Sequence, residues 1–292
     1  MNIFNSQVIA KMPNAGLGNI LFVWARALIF SKQHQLPLTV LGLNGIHLGP
    51  FLRKEKVKRF YFGQFKFPNI SSYIAIPVAK LFVKTIKEPT VIENDSKIYV
   101  FDQIPDWAHF FKDLKPHRQL VINEFYNLLS KKNQYRLAQL KNEEYIAIHI
   151  RMGDFKPLGE HIDFKTVGAT RTPFKYFIDI IEKLKHNGFA NTPIKIFSDG
   201  HEHELTDILT IPNVSYTPPE QDVIDLVKIS RAKLIVTSAS STFSEWAGFL
   251  SDVPIIRHPD HIHSKIRDEA IFFEGSINDF LLYEKKITED HN

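Results

Sequence analysis

Apolar residues recur along this chain in two rhythms, short runs at period two and longer stretches near period 3.6. Their alternation predicts an α/β fold. In Tyr145-Ile-Ala-Ile-His149-Ile-Arg151 the residues Ile146, Ile148 and Ile150 share one face, so the run reads as a buried strand. Gln7–Lys11, Leu38–Leu41, Ile194–Phe197, Leu234–Thr237 and Val253–Ile256 read as further strands. Ile20 to Lys32 is apolar almost all round, with Leu21, Trp24, Ala25 and Leu28 at helical spacing. That pattern predicts a helix buried on more than one side and ended by Pro37. The opening β-loop-α-β unit requires a parallel pair joined by a crossover. Pro105 to Leu114 reads as an amphipathic turn or helix and Leu120 to Leu140 as helical, whereas about residues 51–100 give no firm pattern.

The second half is more regular. Thr172 is placed to cap a helix with Pro173 at its first position, and Phe174, Phe177, Ile178, Ile181 and Leu184 form its stripe, ended by Gly188. A helix is expected around Asp222 to Arg231, and another where Phe243, Trp246, Ala247 and Leu250 recur after a Ser/Thr cluster. No repeat at solenoid spacing interrupts this order.

A length of 292 residues exceeds the usual single domain, and 44% hydrophobic content is enough for two cores. The polar stretch Lys141-Asn-Glu-Glu144 sets the expected division, residues 1–142 and 143–292. With no cysteine, disulfides and thiolate metal sites are excluded. The first residues lack a charged segment followed by an apolar one, and Arg26 interrupts the first long apolar run, so a soluble cytoplasmic protein is expected. The net charge of +4 admits several anionic partners without choosing among them. Locally, Arg53, Lys54, Lys56, Lys58 and Arg59 run into Phe60-Tyr-Phe, which suits either a solvated face or peripheral contact with an anionic membrane. No nucleic-acid partner is expected.

Three predicted strands end in polar chemistry. Arg151 follows its strand directly and precedes Gly153 and Asp154; its planar fork suits a pyrophosphate, or it pairs structurally with Asp154. Asp199 follows Phe197-Ser198 and either accepts hydrogen bonds from a nucleoside or binds amides in its own turn. Ser241, Thr242, Phe243 and Ser244 stand where a helix begins, a place that attracts phosphate or needs only an N-cap. His258, His261 and His263 do not match a helical ligand pair and read as a surface or loop group, so no metal site is expected.

Four pieces stand in one order: Gly16-Leu-Gly18-Asn19 before a buried helix, His149-Ile-Arg151-Met-Gly153-Asp154, Phe197-Ser-Asp199, and Asp225-Leu through Ser241-Thr-Phe-Ser-Glu-Trp-Ala-Gly248. This order resembles the α1,2-fucosyltransferases, which carry G-L-G-N-Q, H-x-R-R-G-D-Y, F-S-D-D and N-S-S-F-S-W-W-G-A in the same sequence. Here Ile20, Met152, Phe155, Gly200 and Glu245 depart from the pattern, as in a divergent member.

The resemblance implies a GT-B type glycosyltransferase with two Rossmann-like domains facing across a cleft, acceptor on the first and GDP-fucose on the second. It implies inverting, metal-independent transfer of L-fucose to a hydroxyl of an oligosaccharide acceptor, lipid-linked in surface polysaccharide synthesis. Gly18, Asn19, His149, Arg151, Asp199 and Ser241 to Ser244 then fall on the nucleotide side. Asn19 also suits a helix cap, and His149, sharing a strand face with Ala147, also suits a core histidine. For the general base, Glu160 lies at about the offset of the family's catalytic carboxylate, with Asp154 as the other candidate.

Overall fold

A computed structural model gives the architecture and describes residues 6–44, 61–67, 76, 83–93, 97–106, 109–159, 161–261 and 264–290. The chain divides into two compact units, with the change at Gln139–Leu140. Glu160, His263 and the basic cluster from Arg53 to Arg59 lie outside the described residues.

The first unit is built on a parallel sheet ordered β2-β1-β4-β3. β1 is Gln7–Lys11, β2 Leu38–Leu41, β3 Thr85–Lys87 and β4 Ile98–Phe101. Helix α1 (Leu17–Gln33) joins β1 to β2 and buries Val23, Ala27 and Phe30 against Val8, Ala10, Tyr99 and Phe101. Full burial of each larger side chain contributes about 1.5–3 kcal/mol. Other positions of α1, including Leu21, Phe22 and Trp24, are buried too, which explains the all-round apolar pattern. The expected helix from Leu120 to Leu140 is two: α2 (Arg118–Leu128) and α3 (Lys131–Ala138). Leu129 turns extended between them, and Ser130 caps α3 by accepting from the Asn133 amide.

The second unit carries a six-stranded parallel sheet ordered β10-β9-β8-β5-β6-β7. Its strands are β5 (Ile146–Ile150), β6 (Ile194–Ser198), β7 (Val214–Thr217), β8 (Leu234–Val236), β9 (Ile255–Ile256) and β10 (Glu274–Gly275). The helices between and after them are α4 (Phe174–Leu184), α5 (Thr206–Leu209), α6 (Asp222–Ser230), α7 (Thr242–Phe249) and α8 (Ile277–Asp290). The period-two face of β5, Ile146, Ile148 and Ile150, packs in one core with Phe177, Ile180, Ile181 and Leu184 of α4. On the other face α6 packs on α7 and on β5. Thr172 does not cap α4: Pro173 holds the cap position with extended ψ, and the Thr172 hydroxyl instead accepts the Ala239 amide.

The strand order locates a place for ligands. From β5 the chain winds outward through β6 and β7, then returns to lay β8 on β5's other side. Between β5 and β8 successive connections diverge, opening a crevice at the carboxyl ends of the strands, which is where open α/β sheets bind ligands.

Candidate functional site

Arg151 is the first residue past β5, at that crevice. Two buried serines stitch the three strand ends together. Ser238, after β8, accepts the Arg151 amide at 2.8 Å and donates to the His149 carbonyl at 2.8 Å. Ser198, ending β6, donates to the Ile150 carbonyl at 2.7 Å and accepts the Gly200 amide at 3.0 Å.

Asp199 organises the turn after β5. One carboxylate oxygen accepts the amides of Met152 (2.7 Å) and Gly153 (3.1 Å), and the other meets the Arg151 guanidinium. Its backbone partners thus lie in the neighbouring loop rather than in its own turn. Asp154 binds the other terminal nitrogen of Arg151, and the Phe155 ring lies 5.3 Å from the guanidinium carbon. The structural pairing with Asp154 foreseen from sequence is therefore present, inside a larger arrangement that fixes the guanidinium on three sides. Gly153 is required by this closeness: a Cβ there would meet Asp199 Oδ2 at 2.3 Å.

Across the crevice, Ser241 sits at the cap position of α7 with φ −93° and ψ 99°, yet its side chain makes no capping bond. Nor does Thr242 cap the helix, since it is already the first helical residue. The first-turn amides of α7 are left without that acceptor at the positive end of the helix dipole, a setting that favours an anion. Ser244 donates to the Ser241 carbonyl at 3.2 Å and is fully buried, whereas Phe243 lays its ring 5.2 Å from that of His149. Burial lowers the His149 pKa to about 4, so the ring is neutral at physiological pH. Its Nδ1 is buried with no partner among the described residues, so it is not the satisfied core histidine that one reading expected. The structure thus brings His149, Arg151, Asp154, Asp199 and Ser241 to Ser244 to one end of one sheet.

Gly18 and Asn19 belong to the first unit. Helix α1 starts at Leu17, three residues earlier than the expected start at Ile20, with Gly16 at its cap position. Asn19 is therefore inside the first turn and caps nothing. Its Oδ1 is buried with no partner among the described residues.

Arg257, Arg267 and Glu274 were not singled out from sequence, and Glu245 only as a departure from the resembled pattern. Arg257 pairs with Glu245 at 2.7 Å, and Arg267 pairs with Glu274 at 3.0 Å; Arg257, Arg267 and Glu274 are buried and Glu245 is partly buried. His261 is buried and bonded to Ser240 and to the Phe164 carbonyl, which corrects its surface reading. Isolated charges in the sequence carry no sign of their partners. Among the described residues, no group of three or more His, Asp or Glu is placed to hold a metal ion. Among them also, no helix is long and apolar enough to cross a membrane.

No protein-family model and no curated protein matches the chain. Solved structures do. Fucosyltransferase NodZ from Bradyrhizobium is similar over 87% of this chain and 95% of its own, at 13% identity and a TM-score of 0.51. This chain shares the fold of that enzyme. It is α/β with parallel sheets, of the GT-B type. POFUT1 in complex with GDP aligns over 94% of this chain and 99% of its own, at 14% identity and a TM-score of 0.47. NodZ α-1,6-fucosyltransferase soaked with GDP-fucose aligns over 87% and 94%, at 14% identity and a TM-score of 0.46.

Proposed function

We propose that this protein is an inverting fucosyltransferase that takes GDP-fucose in residues 143–292 and recognises its acceptor through residues 1–142. The observation carrying the reading is the meeting of Arg151 and the uncapped start of α7 at the β5–β8 switch point of a fucosyltransferase fold. In such a transfer an acceptor hydroxyl attacks the anomeric carbon while GDP leaves, and negative charge grows on the departing phosphate oxygen. A fixed guanidinium and oriented amides stabilise that charge without reorganising, each contributing about 3–4 kcal/mol to the transition state. They do so without a metal.

The acceptor is an oligosaccharide and the bond formed is to galactose O2, a reading supported by the order of the four α1,2-fucosyltransferase-like motifs. A lipid-linked acceptor at the cytoplasmic face, in surface polysaccharide synthesis, fits the same resemblance. Glu160 serves as general base, with Asp154 held in its ion pair with Arg151 and so less available for the proton. Calorimetry with GDP, followed by GDP-fucose turnover on β-galactosides with and without a chelator, tests the reading. Binding of GDP and formation of an α1,2-linked product in chelator are expected. GDP binding with neither transfer nor donor hydrolysis would make the protein a silent sugar-nucleotide binder.

A further inference from the structure

The turn from β8 into α7 contains Ser240 at φ 56°, a left-handed conformation disfavoured for residues with a Cβ. An imidazole lies against it. Ser240 Oγ is 3.2 Å from His261 Nδ1, and His261 Nε2 is 3.0 Å from the Phe164 carbonyl oxygen. A carbonyl can only accept, so Nε2 carries a hydrogen, and in that tautomer Nδ1 accepts from the Ser240 hydroxyl. The ring therefore bridges two segments far apart in sequence, the head of α7 and the loop that starts with Arg151.

Other contacts fasten the same two segments. The Phe164 ring packs 4.6 Å from His261 and 4.9 Å from His258, and Lys165 pairs with Asp260 at 3.1 Å. Further along that loop, Thr172 accepts the Ala239 amide at 3.0 Å. The residue before Ser240 is thus set by a group outside the turn, and His261, which belongs to neither segment, touches both.

We infer that His261 is a positioning residue, a clasp that fixes the α7 turn and the Arg151 loop relative to each other so that the sugar-nucleotide site is shaped before donor arrives. This rests on the reading of that site given above. It touches neither nucleotide nor reacting atoms; it acts through Ser240 and Phe164. A residue that orients ligating groups in this way typically affects affinity by about 10–100-fold.

Two conservative variants divide the clasp. In His261→Asn the side-chain oxygen can replace Nδ1 and keep the Ser240 bond while releasing Phe164. In His261→Gln the amide nitrogen can replace Nε2 and keep Phe164 while releasing Ser240. For the purified protein, each variant is expected to weaken GDP binding about tenfold and raise KM for GDP-fucose with kcat changed less, because a clasp opened at either end releases both segments. Amide hydrogen exchange supplies a readout that needs no nucleotide: exchange speeds at Ser241 in the Gln variant and at Thr166 in the Asn variant. A merely structural histidine would speed exchange at both places in both variants, and such equal behaviour overturns the clasp. Split exchange with no GDP binding by wild type would leave the clasp standing and remove the sugar-nucleotide reading instead.

Discussion

Met152 occupies the space that a side chain at Gly200 would need: a Cβ there would lie 2.3 Å from Met152 Sδ and 3.0 Å from its Cβ. The α1,2-fucosyltransferases that this chain resembles carry Arg and an acid at these two places. The two departures are therefore one packing unit, a buried thioether over a bare backbone. Gly200→Asp alone is expected to cost about 1–3 kcal/mol through overpacking. Met152→Arg alone buries an unpaired charge, at a cost of about 3–5 kcal/mol. Combined, they should cost less than their sum by about 0.5–3 kcal/mol, because the new acid and guanidinium meet. Urea unfolding of the four proteins measures the coupling, and strict additivity would separate the two positions.

Arg151 offers the most direct test of chemistry. Its guanidinium is held by Asp199, Asp154 and the Phe155 ring, so the fork is oriented in advance. Arg151→Ala is expected to lower kcat for GDP-fucose by about 10²–10³, and Arg151→Lys nearly as much, because a point charge cannot make the paired contacts. Asp199 still binds the Met152 and Gly153 amides in these variants, so the loop should persist. Wild-type turnover in either folded variant would remove Arg151 from the reaction.

The strands were legible because burial on one or both faces writes itself into the sequence at period two; β5 and β6 fall where Ile146–Ile150 and Ile194–Phe197 predict, β6 running one residue further. The strand-end residues were legible for the same reason, since a strand's end fixes where Arg151 and Asp199 emerge. What each side chain binds was not. Asp199 bonds across to the β5 loop, and Thr172 across to Ala239, because tertiary partners outcompete the local turn and cap that short-range rules favour. The break at Leu129-Ser130 escaped because both halves keep apolar residues at helical spacing, and a serine inside such a stretch looks like a solvent-facing position. His261 was misread since histidine at a loop position carries no mark of burial.

Asp225 should shape the pH dependence of stability. Burial raises its pKa to about 7, while the Glu220 amide bonds one oxygen and partly opposes the shift. Above the ordinary value of 3.8 the unfolded chain has lost this proton, whereas the folded protein keeps it up to about pH 7. Between those values the folded state binds more protons, so this group makes stability fall as pH rises, by up to about 1.4 kcal/mol per pH unit. Above pH 7 the penalty is complete. Asp225→Asn retains an acceptor for the Glu220 amide and removes the charge. It should flatten that slope and stabilise the protein at neutral pH, as followed by denaturant midpoints from pH 4 to 8.

Glu245 stands where the resembled family has Trp, and its environment shows what that exchange requires. The carboxylate lies in the first turn of α7, partly buried, and burial pushes its pKa up while Arg257 opposes the rise. Arg257 binds it at 2.7 Å and turns its other terminal nitrogen to the Ser264 carbonyl, with Glu274 3.8 Å away. Removing one partner leaves the other charged in a low-dielectric interior, so Glu245→Ala and Arg257→Ala should each cost about 3–5 kcal/mol. An apolar pair, Glu245→Leu with Arg257→Leu, should recover most of that loss, because neither charge then needs solvation. The family's own residue gives the sharper outcome: Glu245→Trp alone both orphans Arg257 and overfills the site, and is expected to unfold at markedly lower denaturant than Glu245→Ala. Because Glu245 belongs to the first turn of α7, loss of GDP affinity should accompany Glu245→Ala even at temperatures where the variant remains folded. Calorimetry on that folded variant decides whether the pair supports the nucleotide site or only the core.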